Sequence, residues 1–68
     1  MLTDEERVYE VLQQLGGYAT SGEIAKRLGW DTKGGARRVG QIMGRLMQRG
    51  RVERFNARTA YRIRNGSA

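Results

Sequence analysis

The chain has 68 residues, with thirteen Lys and Arg against seven Asp and Glu, no Cys and no His. That length suits one small domain, spanning residues 1–68, with a thin core. Without Cys there is no disulfide staple or thiolate metal site, and without His the commonest metal ligand and acid–base group is missing. The charge is polarised: residues 1–31 carry three basic and six acidic side chains, whereas residues 32–68 carry ten basic ones and a single acid, Glu53. A net +9 confined to one half is the pattern of a surface that meets a polyanion, since a solubilising surface mixes both signs. No apolar run approaches the roughly 20 residues of a membrane span, and the acidic start is unlike a signal peptide. The expectation is an intracellular, cytoplasmic protein with no membrane partner.

Thr3-Asp4-Glu5-Glu6 is a capping box, and Val8, Val11, Leu12 and Leu15 follow at helical spacing until Gly16-Gly17. This predicts a first helix over 4–15, whose acids serve its positive end. Tyr18-Ala19-Thr20 reads as a short extended segment. Thr20-Ser21-Gly22-Glu23 is a second capping box, and Ile24, Ala25 and Leu28 give a short helix over 21–28, stopped at Gly29. Trp30-Asp31-Thr32 makes a tight connection, with Asp31 or Thr32 as the next cap.

Helix 3 is expected over 33–49. At about 100° per residue, Ala36, Val39, Met43, Leu46 and Met47 cluster on one side with Ile42 at the margin. Arg37, Gln41, Arg45 and Gln48 lie roughly opposite, with Arg38 beside them, and Gly50 closes the helix. The period then changes to alternation, predicting an antiparallel hairpin over 51–55 and 60–64, turned by Asn56-Ala57-Arg58-Thr59. The tail, 65–68, is expected to fray.

The order of elements resembles the winged helix-turn-helix family of DNA-binding domains. The resemblance is carried by "YATSGEIAKRLGW", similar to that family's capped second helix, and by "IMGRLMQRGRVER", similar to the end of its recognition helix and the first wing strand. It implies an α+β fold, a small winged helix of three helices plus a C-terminal β-hairpin wing. It also implies that helix 3 enters the major groove of double-stranded DNA while the wing lies on the backbone or minor groove. The winged domains that bind left-handed duplexes use an asparagine and a tyrosine on helix 3, and prolines and a tryptophan in the wing. Gly40, Gly44 and Tyr61 stand at three of those places, and the chain has no proline.

The residues themselves point the same way. Arg and Gln are the usual bidentate partners of guanine and adenine, and residues 33–49 contain no acid. The candidate DNA-binding residues are Lys33, Arg37, Arg38, Gln41, Arg45 and Gln48 around helix 3, and Arg54, Arg58, Arg62 and Arg64 in the wing. Arg58, at the expected tip, suits a minor groove, the other wing arginines suit phosphates, and Lys33, Arg37 or Arg38 near the helix N-terminus can also hold phosphate. Ser21 is a weaker phosphate candidate. Trp30, Tyr18 and Tyr61 are expected to be structural. Each interior glycine costs roughly 1 kcal/mol against Ala. Close packing is the expected reason for Gly40, and approach to nucleic acid for Gly44.

No nucleophile–base pair or glycine-rich phosphate loop with its lysine is present, so no enzyme and no cofactor are expected. The expected role is a small transcriptional regulator or DNA accessory factor, a monomer or weak homodimer. The alternatives are a winged helix docking an acidic protein partner, a structured-RNA binder and a left-handed-duplex binder.

Overall fold

The computed structural model describes residues 2–30, 33–55 and 60–64. Three helices, α1 (Asp4–Gln14), α2 (Ser21–Arg27) and α3 (Gly35–Gln48), accompany three strands, β1 (Tyr18–Thr20), β2 (Val52–Phe55) and β3 (Ala60–Ile63). The protein is therefore α+β, with a winged-helix layout. No described helix is long and apolar enough to cross a membrane.

Both capping boxes form. The Thr3 amide donates to Glu6 Oε1 at 3.0 Å while the Glu6 amide donates to Thr3 Oγ1 at 3.2 Å. Thr20 and Glu23 repeat the exchange at 2.9 and 3.2 Å. Hydrogen bonds from the Thr3 backbone, and then from its side chain, hold the Glu6 carboxyl below the ordinary glutamate range, and Thr20 does the same for Glu23.

All three helices end alike. The amides of Gly16, Gly29 and Gly50 return to the carbonyls of Gln13, Lys26 and Met47, and the next residue's amide reaches one carbonyl further back. These are Schellman closures, which need the left-handed φ that each of these glycines adopts.

Helix 3 begins differently from expectation. Its N-cap is Gly34, left-handed at φ 92° and without a side-chain cap, rather than Asp31 or Thr32, which lie outside the described residues. Lys33 consequently precedes the helix. Gly35 explains the departure, because a Cβ there would sit 1.5 Å from the Trp30 carbonyl oxygen. The α2–α3 connection is so tight that the chain passes Trp30 backbone to backbone, which only glycine permits.

The buried cluster joins Val8, Val11 and Leu12 of α1, Ile24 and Ala25 of α2, Val39, Ile42, Met43 and Leu46 of α3, and Ala19, Val52 and Tyr61 of the sheet. Ile42, expected at the margin, is buried, and Ala36, expected in the core stripe, is exposed. With Gly35 facing inward against Trp30, the helix is rotated so that Ala36 moves off the core face.

The sheet has the order β1-β3-β2, antiparallel throughout. Tyr18, Arg62 and Glu53 stand opposite one another across it, as do Ala19, Tyr61 and Arg54. Successive residues alternate in face, so Ala19, Tyr61 and Val52 point to the helices while Tyr18, Arg62, Glu53 and Phe55 point away. The expected turn 56–59 and tail 65–68 lie outside the described residues.

Candidate nucleic-acid interface

Helix 3 owes its position to the core residues Val39, Ile42, Met43 and Leu46 and to the contact of Gly35 with Trp30. Its outward pole then carries Arg37, Gln41, Gly44 and Gln48, at angles set by about 100° per residue. All but the half-buried Gly44 are exposed. The two flanks of this pole differ.

One flank faces the start of α1. Arg38 donates to Asp4 Oδ2 at 2.7 Å, and its guanidinium lies 4.2 Å from the Trp30 ring centroid. Arg7 approaches the same ring at 5.9 Å. Arg49 stands 3.5 Å from Glu5 Oε1, an oxygen that is buried and has no hydrogen-bond partner, so this pairing is electrostatic rather than a formed hydrogen bond. Arg45 is exposed and lines a shallow groove with Thr3, Asp4, Glu5, Arg38, Gln41 and Ile42. The acids of the first turn therefore do more than serve the helix end, because two of them also engage helix 3 arginines. Trp30 is a packing residue, as expected.

The other flank faces the sheet and carries Ala36, Gly40 and Met47. No acid occurs in α3, and Glu53, the single acid after residue 31, lies on the far side of the sheet. A Cβ at Gly40 would meet only the Tyr61 hydroxyl, at 4.0 Å, and a Cβ at Gly44 would meet nothing within that distance. Close packing therefore does not account for Gly40, contrary to expectation, nor for Gly44.

The wing arginines are divided between the two faces of the sheet. Arg54 shares a register position with Tyr61 on the helix side. Arg62 is on the outer face, ion-paired to Glu53 and 5.1 Å from the Phe55 ring. Arg64 is exposed at the base of the hairpin, in a concavity that also takes in Tyr18, Arg49, Phe55 and Arg62. Arg51 covers the Tyr9 ring at 4.0 Å. Arg58 lies outside the described residues. Ser21 is buried at the start of α2.

The structure thus brings Arg37, Gln41, Arg45 and Gln48 onto one outward surface, with Arg54 on the helix side of the sheet. Arg38 is committed to an intramolecular partner, and Arg62 and Arg64 are set apart. Tyr18, expected to be structural, is 48% exposed and meets Phe55 edge-on at 4.9 Å between centroids.

The α3 N-terminus adds backbone donors. Gly34 provides no capping side chain and the first turn has no acid, so among the described residues the positive helix end lies beside Lys33 and Arg37 without an acidic partner. Among the described residues no group of His, Cys, Asp or Glu could hold a metal ion. Comparison with protein-family models, with curated proteins and with solved structures finds no match to this chain.

Proposed function

We propose that the protein is a double-stranded DNA-binding winged helix of the helix-turn-helix kind, acting as a small transcriptional regulator or DNA accessory factor. The observation that carries this reading is the outward pole of α3. It presents Arg37, Gln41 and Gln48, flanked by Arg45, on an acid-free helix whose opposite side is bound into the core. Such a helix protrudes, and its side chains match the donor and acceptor pattern of base edges in a major groove. Lys33, the open α3 N-terminus and Arg54 surround it with phosphate donors, which set register without reading sequence. The reading needs no cofactor and no catalytic group.

Selection of bound duplexes from a random pool, with folded RNA as competitor, tests it. The expected outcome is recovery of a preferred duplex site, with log K falling against log salt at a slope of about −4, for four or five phosphate contacts. Preference for the RNA, or no duplex binding at low salt, overturns it.

A second reading is favoured by the concavity at the wing base. There Tyr18 and Phe55 lie among Arg49, Arg64 and the ion pair of Arg62 with Glu53, a net cationic surface suited to an acidic protein segment with an apolar anchor. That reading expects Tyr18→Ala to abolish partner binding and leave duplex affinity unchanged.

A further inference from the structure

We propose that the Tyr61 hydroxyl is a phosphate ligand, set in the seam between α3 and the sheet, and that one strand of the duplex crosses α3 over Gly40 and Gly44. The inference rests on the DNA-binding reading and names the backbone contact that accompanies it.

Tyr61 is only 4% exposed, and its ring belongs to the core. A buried tyrosine ordinarily has a partner for its hydroxyl. Among the described residues this one has none. Phenylalanine would fill the same core volume without a polar atom. The hydroxyl is directed toward α3, 4.0 Å from the place a Gly40 side chain would begin.

The glycines give the complementary observation. They lower the helix propensity of α3, and nothing within the chain presses on Gly44 at all. Ala36, Gly40 and Gly44 recur every fourth residue, so together they leave a shallow trough that runs from the sheet-facing flank at Ala36 and Gly40 to the edge of the outward pole at Gly44. At its floor is an unpaired hydroxyl donor.

The chemistry of the walls decides what enters. Arg54 is Tyr61's neighbour across the β2–β3 ladder, and Arg37, three residues before Gly40, borders that glycine on the helix. The acids of α1 lie on the opposite flank of α3, and Glu53 is behind the sheet. A donor between cations, in a trough without acids among the described residues, suits an anionic oxygen acceptor. A side chain at either glycine would hold the sugar-phosphate chain away from that donor.

The test is Tyr61→Phe, measured by thermal melting and by titration with random-sequence duplex at low salt. Tyr18→Phe, on the outer sheet face, is the control. The melting temperature is expected to stay at the parent value, because no described residue partners the lost hydroxyl. Affinity is expected to fall about tenfold, the usual effect of a hydrogen bond to a charged group. The loss should be the same for preferred and random duplexes, since phosphate carries no sequence information. Gly40→Ala should weaken the parent several-fold and weaken Tyr61→Phe much less, because both changes remove one contact. Unchanged affinity of Tyr61→Phe, with the parent binding duplex normally, overturns the Tyr61 contact and leaves the DNA-binding reading intact. A marked drop in melting temperature assigns the hydroxyl to the fold and also overturns it. A parent that binds no duplex overturns both.

Discussion

The two flanks of helix 3 use similar surroundings in opposite ways. Toward α1, Arg38 and Arg49 are met by Asp4 and Glu5, and Arg38 also rests on Trp30. Toward the sheet, Ala36 and Gly40 stand beside Met47, and no acid lies among the described residues there. The helix is thus held to its own domain along one edge and kept bare along the other. Arginine on a helix facing outward is therefore insufficient evidence of a ligand. Arg37 and Arg38 are adjacent in sequence, equally basic and both exposed, yet one has an intramolecular partner and the other has none among the described residues.

The largest effect should come from unseating the helix altogether. Gly35→Ala places a methyl group 1.5 Å from the Trp30 carbonyl oxygen, which has no flexible side chain to move aside. Overpacking typically costs about 1–3 kcal/mol and sometimes more; against backbone, the upper end is expected. A melt should show a largely destabilised or unfolded domain. A Gly35→Ala protein as stable as its parent would show that the α2–α3 connection relaxes freely and that neither flank depends on it.

Separating the neighbouring arginines gives the next effect. Arg37→Ala should lose about 1–3 kcal/mol of discrimination at a preferred duplex site and leave stability near the parent value. Arg38→Ala should do the reverse. It loses a half-exposed ion pair and a cation–π contact, worth together on the order of 1 kcal/mol of stability, with little change in sequence preference. If both variants lose discrimination equally, the difference between the flanks has no bearing on binding.

Gly44→Ala sharpens the bare side. With nothing within 4 Å of the new methyl, the helix should gain up to about 1 kcal/mol of stability. Duplex affinity should fall at the same time, because the methyl stands where the backbone approaches. Stability and affinity that both rise in a melt and a titration would remove Gly44 from the interface.

The smallest effect concerns acid. Glu6 and Glu23 are held below the ordinary glutamate range by hydrogen bonds to Thr3 and Thr20, so they bind protons less readily folded than unfolded. Their contribution to stability is complete above the ordinary glutamate range and is lost as pH falls through the lowered values. A Thr3→Ala, Thr20→Ala double variant should lose less stability across that acidic interval than the parent does. A parallel pH dependence of the two melting temperatures would count against the boxes as its source.

The elements were legible where their signals are local. Each capping box is closed by residues three apart, each helix ends at a glycine in the expected place, and the hairpin follows from alternation around 52–55 and 60–63. What escaped was set by contacts between distant segments. Periodicity alone puts Ala36 in the core; the approach of Gly35 to the Trp30 carbonyl turns it out. The need for glycine at 35 is invisible in the sequence, because a backbone-to-backbone contact leaves no trace in hydrophobic pattern. Asp4 and Glu5 read as partners of a helix end, and only the crossing of α1 with α3 brings them to Arg38 and Arg49. Of the candidate site, the stripe Arg37, Gln41, Arg45 and Gln48 was legible. The internal engagement of Arg38 and the separation of Arg62 from Arg54 depend on tertiary packing and sheet register.

The central position of β3 has a consequence for the order in which the domain can assemble. Tyr18 pairs with Arg62, and at the same end the Ile63 amide donates to the Gly17 carbonyl while the Arg64 amide donates to that of Arg51. The last described strand is stitched on one side to β1, in the first third of the chain, and on the other to its immediate predecessor. The β2–β3 pairing is local and can close early, but the β1–β3 pairing spans more than forty residues and must wait until that loop has been ordered. During synthesis, α1 and α2 can form while still lacking the Tyr61 ring that completes their core. The domain therefore acquires its tertiary structure only after β3 has emerged. In hydrogen exchange the amides of β3 should open only with global unfolding, so the base of the wing is no more detachable than the helices it supports.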